Sequence, residues 1–190
     1  MLSQRTSLTP LRLLLLLLLG VFALFLALSA QATIVQKLEV EELTKLSSNI
    51  IHGQIISVQT DWNSEHTRIY TKAKINVYES FKGAVRRGET IDIVQLGGEK
   101  DGVKLDYDGR PEFATGESVV LFANRTRSND LIVVGLKQGK MKVSGQYVTR
   151  DFSGLTVVER AKSGNGLQPA KILPTRLTMD ELRQRIARAK

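Results

Sequence analysis

Cysteine is absent from this chain of 190 residues. That excludes a disulfide framework, a thiolate nucleophile, a cysteine zinc site and a lipid-modified N-terminal cysteine. A small exported domain often leans on disulfides, so this one must be held by its packed core alone. Histidine is nearly as scarce, with only His52 and His66. Two imidazoles cannot make a metal site by themselves, and they leave few groups that exchange protons near neutral pH. The sequence contains no H-E-x-x-H, G-x-S-x-G, G-x-x-x-x-G-K-[ST] or G-x-G-x-x-G pattern. Gly97-Gly98 therefore reads as a strand-ending turn, not a phosphate loop.

What is present begins with a leader. Arg5 and Arg12 stand without any acidic residue, an uncharged, leucine-dominated run covers Leu13 to Leu28, and Ser29-Ala30-Gln31-Ala32 follows. A basic start, an apolar middle and an A-x-A site are the parts of a secretory signal peptide, with cleavage expected after Ala32. A retained membrane anchor is the competing reading, but no basic stop-transfer cluster follows the small residues. The expected product, periplasmic or extracellular, keeps 158 of the 190 residues, enough for one domain with its own core. Subtracting Arg5 and Arg12 from the 27 basic residues leaves 25 against 19 acidic ones, a net charge near +6. Such an excess favours anionic envelope polymers, lipid headgroups or acidic proteins, and export argues against nucleic acid.

Leu38, Leu43 and Leu46 recur at helical spacing among glutamates, which predicts a short helix ending near Ser47. From Ile50 the pattern becomes one of strands. Ile50 to Val58 is one, interrupted by Gly53, where a bulge is expected. Asp61 to Glu65 has turn chemistry, and Trp62 is expected at the exposed tip of that turn. Beyond Thr67, Ile69, Thr71, Ala73, Ile75 and Val77 alternate with Arg68, Lys72, Lys74 and Asn76 up to Phe81-Lys82-Gly83. A period of two over that length predicts a long, half-buried antiparallel strand.

Further strands are expected at Thr90 to Leu96, Ser118 to Phe122, Leu131 to Leu136, Lys140 to Val143, Gln146 to Thr149 and Leu155 to Glu159. Ser163 to Gly166 reads as a flexible break, and Pro169 and Pro174 keep the next stretch extended. Thr178 with Glu181 forms a capping box that opens an amphipathic helix to about Ala189. Its Arg183, Arg185, Arg188 and Lys190 could meet an anionic surface, although docking on the strands is the commoner fate. The domain reading is a leader at 1–32, a β domain at 33–160, and a linker with a C-terminal helix at 161–190.

The stretch Leu46 to Ile55, then Thr67-Arg68-Ile69-Tyr70 and Phe81-Lys82-Gly83, resembles the opening of netrin-like domains, the OB-fold barrels of tissue inhibitors of metalloproteinases. Pro111-Glu112-Phe113, Gly116-Glu117, Val119 to Phe122 and Val134 to Lys140 look like the later half of a group of small secreted bacterial proteins of unknown function. Together these matches cover roughly residues 43 to 143. The resemblance implies a mainly β fold, a small OB-like antiparallel barrel with a short N-terminal and a C-terminal helix. It does not carry over the inhibitory mechanism, which needs an N-terminal cysteine that this chain lacks.

OB-folds bind ligands through stacking surfaces and loops. Trp62, Tyr70 and Tyr107, with Arg110 beside them, are the candidate partner-binding residues, and Tyr78 is a further aromatic. Glu99, Asp101, Asp106 and Asp108 form the one acidic stretch, and Asp106-x-Asp108-Gly109 resembles half of a calcium loop without its closing glutamate. Asn124-Arg125-Thr126 matches a glycosylation acceptor, which matters only in a eukaryotic secretory route. No catalytic, cofactor or metal residue is nominated. The functional expectation is an exported, non-enzymatic binding module for a protein or an anionic envelope polymer, touching membrane only through its leader before cleavage. The alternatives are a metalloprotease-inhibitor-like module and a metal-dependent hydrolase using residues 99 to 108. Protein recovered from an exporting cell should begin at Thr33, and mass spectrometry of its intact form checks this.

Overall fold

The alternation that starts at Ile69 organises the molecule. A computed structural model describes residues 33–161, 166–172 and 176–190. The leader at 1–32, Ser163 to Asn165 of the expected flexible break, and Pro174 of the stretch expected to be extended lie outside the described residues. The elements run β1 (Thr33–Gln36), α1 (Val40–Leu46), β2 (Asn49–Trp62), β3 (Ile69–Lys82), β4 (Thr90–Leu96), β5 (Gly98–Lys100), β6 (Val103–Leu105), β7 (Ser118–Arg125) and β8 (Leu131–Val133). A 3₁₀ turn (Leu136–Gly139) leads into β9 (Lys140–Ser144), β10 (Tyr147–Arg150), β11 (Leu155–Arg160), β12 (Leu167–Pro169), β13 (Arg176–Thr178) and α2 (Met179–Ala189).

Strand β3 pairs antiparallel with β2 on one side and β4 on the other, β2 pairs with β7, and β7 with β8. A parallel contact between Ile93 and Leu131 joins β4 to β8 and closes a five-stranded barrel. This is the expected OB-like, mainly β fold with a helix near each end. Inside the barrel, Ile51, Ile55, Ala73, Ile75, Ile93, Val119 and Leu121 make a core with almost no solvent contact. The inward set on β3 is the one its alternation predicts.

Two 14-residue strands cannot stay straight around so small a barrel, and β2 shows where it yields. Its register against β3 slips at Ile50/Ile51, His52/Gly53 and Ile55/Ser57. Gly53 is required there, because a Cβ would collide with the Asn76 carbonyl oxygen and meet the Ile75 side chain at 2.7 Å.

A second core lies outside the barrel. Strand β7 is buried on both faces, so Val120 and Phe122 point away from the interior and pack with Val40, Leu43, Met141, Leu182 and Ile186. The C-terminal helix therefore docks. Its capping box is formed, with Thr178 Oγ1 accepting from the Glu181 amide at 3.1 Å and Glu181 accepting from the Thr178 amide at 2.7 Å. Docking also engages two of its four basic residues. Arg185 forks onto Glu41 of α1 at 2.7 and 2.6 Å, and Arg183 onto Glu79 of β3 at 3.1 and 2.8 Å. Between the helix and the sheet, Arg150 has a side chain only 1% exposed and donates to the Leu38 carbonyl at 2.6 Å. Burial lowers its pKa, and its Nε is left without a partner among the described residues.

The stretch after residue 160 contributes two strands. Leu167–Pro169 pairs with β11, whose other edge carries β1 in parallel, and Arg176–Thr178 pairs with β10. Leu131 to Leu136 is shorter than expected as a strand: Gly135 and Leu136 both take positive φ and turn the chain into the 3₁₀ segment. Replacing Leu182 with alanine empties the middle of the second core and should cost about 2 to 5 kcal/mol. Urea denaturation followed by circular dichroism measures it.

Candidate functional site

Strand β4 ends where the barrel is least complete. Its contact with β8 is limited to Ile93 and Leu131, and beyond that pair the two strands leave a cleft of about 630 Å³. Tyr70 lines it. The residue stands opposite Leu96 in the ladder, on the outward face of β3, between the inward Ile69 and Thr71. Val94, Leu96, Ile132 and Leu136 supply apolar walls, and Thr126, Ser128 and Asp130 of the β7–β8 loop form the rim. Ile132 is 42% exposed, unusual for an isoleucine beside a barrel core.

Tyr107 and Arg110 come to the same end of β4. Gln95, which also lines the cleft, donates from Nε2 to the Tyr107 hydroxyl. Burial pushes the Tyr107 phenol up, partly offset by that hydrogen bond. Arg110 lies against Gly97, where a Cβ would meet its Cδ at 2.8 Å. Its guanidinium is not free: Nε bonds Asp106 Oδ1 at 3.2 Å, and the side chain is 12% exposed. The hydrogen bond from Arg110 is the main reason the Asp106 carboxyl is held below its ordinary range. Arg110 is thus a strut of the turn from Asp106 to Arg110 more than an open cation.

Trp62 departs from the expectation of an exposed loop tip. Strand β2 continues through it, so Trp62 is the last strand residue, paired with Ile69 and half-buried. Its indole Nε1 donates to Asp101 Oδ2 at 2.9 Å, and its ring stacks on His66 with centroids 6.1 Å apart. The reason is the hairpin of β5 and β6, formed within the stretch that the sequence marks as acidic. Asp101 and Gly102 form its two-residue turn with φ of 53° and 76°, and Lys100 reaches Asp61 at 3.5 Å. An Asp-Gly pair between short runs is a hairpin signal in its own right, and it was the clue available.

The four acidic residues of this region do not converge. Asp101 holds Trp62, Asp106 holds Arg110 and Lys104, and among the described residues no group of three or more His, Asp or Glu is placed to hold a metal ion. Sequence reasoning also missed Gln95, Ile132 and Leu136, for which hydrophobicity alone carries no signal of exposure.

His52 sits elsewhere, on the outer face of β2. Its Nε2 shares a hydrogen bond of 3.1 Å with Ser118 Oγ, and its ring meets Tyr78 edge-on at 5.6 Å. Burial lowers its pKa, against the pull of Glu79, while Arg183 adds to the lowering. Among the described residues no helix is long and apolar enough to cross a membrane. No model of a known protein family matches the chain, and no curated protein sequence matches it.

The His52 shift has a sign that can be tested. The folded state prefers the neutral ring, so the unfolded chain takes up its proton first as the pH falls through about 6.5. Stability from this group is full above that value and is lost on acidification through the lower folded pKa. Wild-type protein should therefore lose more stability between about pH 7 and pH 5 than His52→Gln, measured by urea denaturation at each pH.

Proposed function

We propose that this chain is an exported, non-enzymatic binding module that holds a segment of a partner, a protein or an envelope polymer, in the cleft beside Tyr70. The observation that carries the reading is the concave, mostly apolar site at the open end of β4, rimmed by the β7–β8 loop. Loops and strand faces at such a place are what an OB-like barrel uses for ligands. Tyr70 offers a ring with two rotatable bonds, so its contact area is gained at small entropic cost. Exposed Ile132 gives a partner apolar surface to cover. Gln95, Tyr107 and the Arg110–Asp106 pair stiffen the wall, which lowers the cost of ordering on binding.

Trp62 has a supporting place in this reading: it ties the β2–β3 tip to the β5–β6 turn. The periplasm or the exterior is the proposed location, on the strength of residues 1–32. A hydrolase built on the acidic loop draws little support from carboxylates already engaged by Trp62, Arg110 and Lys104. An inhibitor-like role rests on the family resemblance alone.

Photo-crosslinking in whole exporting cells, with a crosslinker at position 128, tests the proposal. A specific adduct is expected, and Tyr70→Ala with Ile132→Asp should reduce it about tenfold while the circular dichroism spectrum is kept. Equal adduct yields from wild type and the double variant would remove the cleft from consideration.

A further inference from the structure

The barrel carries another concavity, away from the Leu96 end of β4, and its chemistry is of the opposite kind. A shallow cleft of about 810 Å³ lies over the outer face of β2 and β3, with His52, Tyr78, Glu79 and Ser80 in its floor. Its wall is the Gly83–Glu89 connection, which brings Arg86 and Arg87, and α2 adds Arg183. The three guanidinium groups are not equivalent. Arg183 is spent on Glu79, which takes both arms of its fork, and on Asp180 at 2.6 Å. Arg86 and Arg87 are exposed, and among the described residues neither forms an ion pair. Glu79 is thus neutralised within the cleft, and two positive charges remain.

These two arginines are held in place. Val85, just before them, is 4% exposed and belongs to the barrel core. Just after them, Gly88 donates to the Val77 carbonyl at 2.8 Å, Val77 donates to Glu89 at 2.9 Å, and the Glu89 amide donates to Arg86 at 3.2 Å. The Arg86 amide is in turn capped by Glu89 Oε2 at 3.1 Å. A loop anchored at both ends holds its backbone fixed before any ligand arrives, and adjacent arginines on a fixed backbone suit tetrahedral oxyanions.

We propose that this cleft is a phosphate-binding site, distinct from the cleft at Tyr70, in which Arg86 and Arg87 clasp the phosphate oxygens over the floor made by His52 and Ser80. Guanidinium groups recognise phosphate through paired charge-assisted hydrogen bonds, and two of them without carboxylate partners keep that capacity unspent. The phosphate could be carried by a lipid headgroup or arrive free. The recognition is the same in both cases.

The experiment titrates inorganic phosphate into the protein as the cell exports it, by calorimetry at low ionic strength, and sediments the protein with vesicles of phosphatidylglycerol or of phosphatidylcholine alone. Arg86→Gln with Arg87→Gln is compared with Arg127→Gln with Lys142→Gln, which removes the same charge at other exposed positions. Phosphate affinity should fall about tenfold in the first variant and stay within about twofold in the second. Phosphatidylglycerol binding that follows the same pattern identifies a lipid source, and phosphate binding without vesicle binding identifies a free one. Equal losses in both variants would show that the charge acts diffusely, and wild-type protein that binds neither probe would equally overturn the site. Tyr70→Ala should leave phosphate binding unchanged, so this result and that at the Tyr70 cleft stand apart.

Discussion

Strand β7 has to be apolar on both of its faces, and the rest of the architecture follows from meeting that demand. Val119, Leu121 and Ala123 close the barrel from inside, while Val120 and Phe122 are left facing outward on a surface that water would otherwise cover. Each fully buried side chain of this size is worth roughly 1.5 to 3 kcal/mol over an exposed one. Leaving that face bare would therefore forfeit much of a small domain's margin. The two helices answer this. They come from opposite ends of the described chain, meet each other, and lay Leu43, Leu182 and Ile186 on the same strand. In the absence of disulfides, this double use of one strand welds barrel and helices into a single packed body.

Electrostatics refines the fit. Arg185 and Glu41 join the two helices, Arg183 and Glu79 join helix to barrel, and Arg150 lies beneath with its charge shielded from solvent. Exposed pairs of this kind add little stability, but forked arginine geometry fixes orientation. The excess of basic residues is consequently uneven in its availability. Arg183 and Arg185 are spent where the helix docks, whereas Arg86 and Arg87 on their pinned loop are exposed and form no ion pair among the described residues.

Much of this was legible in the chain, for reasons that differ by element. The alternation in β3 reports a surface half in water, and the five-residue apolar run of β7 reports one buried on both sides. The capping box at Thr178 is local chemistry and needed no tertiary context. The failures share a cause as well. Trp62 looked like a loop residue because its flanks are polar, yet cross-strand pairing with Ile69 and a bond to Asp101 extend the strand through it. The cleft beside Tyr70 could not be foreseen, since it arises from the early divergence of β4 and β8, which are at least 35 positions apart in sequence and meet at one pair. Strands β12 and β13 take their partners from β11 and β10, and three-residue segments carry too few side chains to announce that.

Because Met179, Leu182 and Ile186 follow every described strand in sequence, the outer layer cannot be completed until α2 is available. During synthesis the earlier strands wait with a greasy flank uncovered, which delays commitment to the final shape. The lock on the outer layer is thus carried by α2, an element made after every strand it covers.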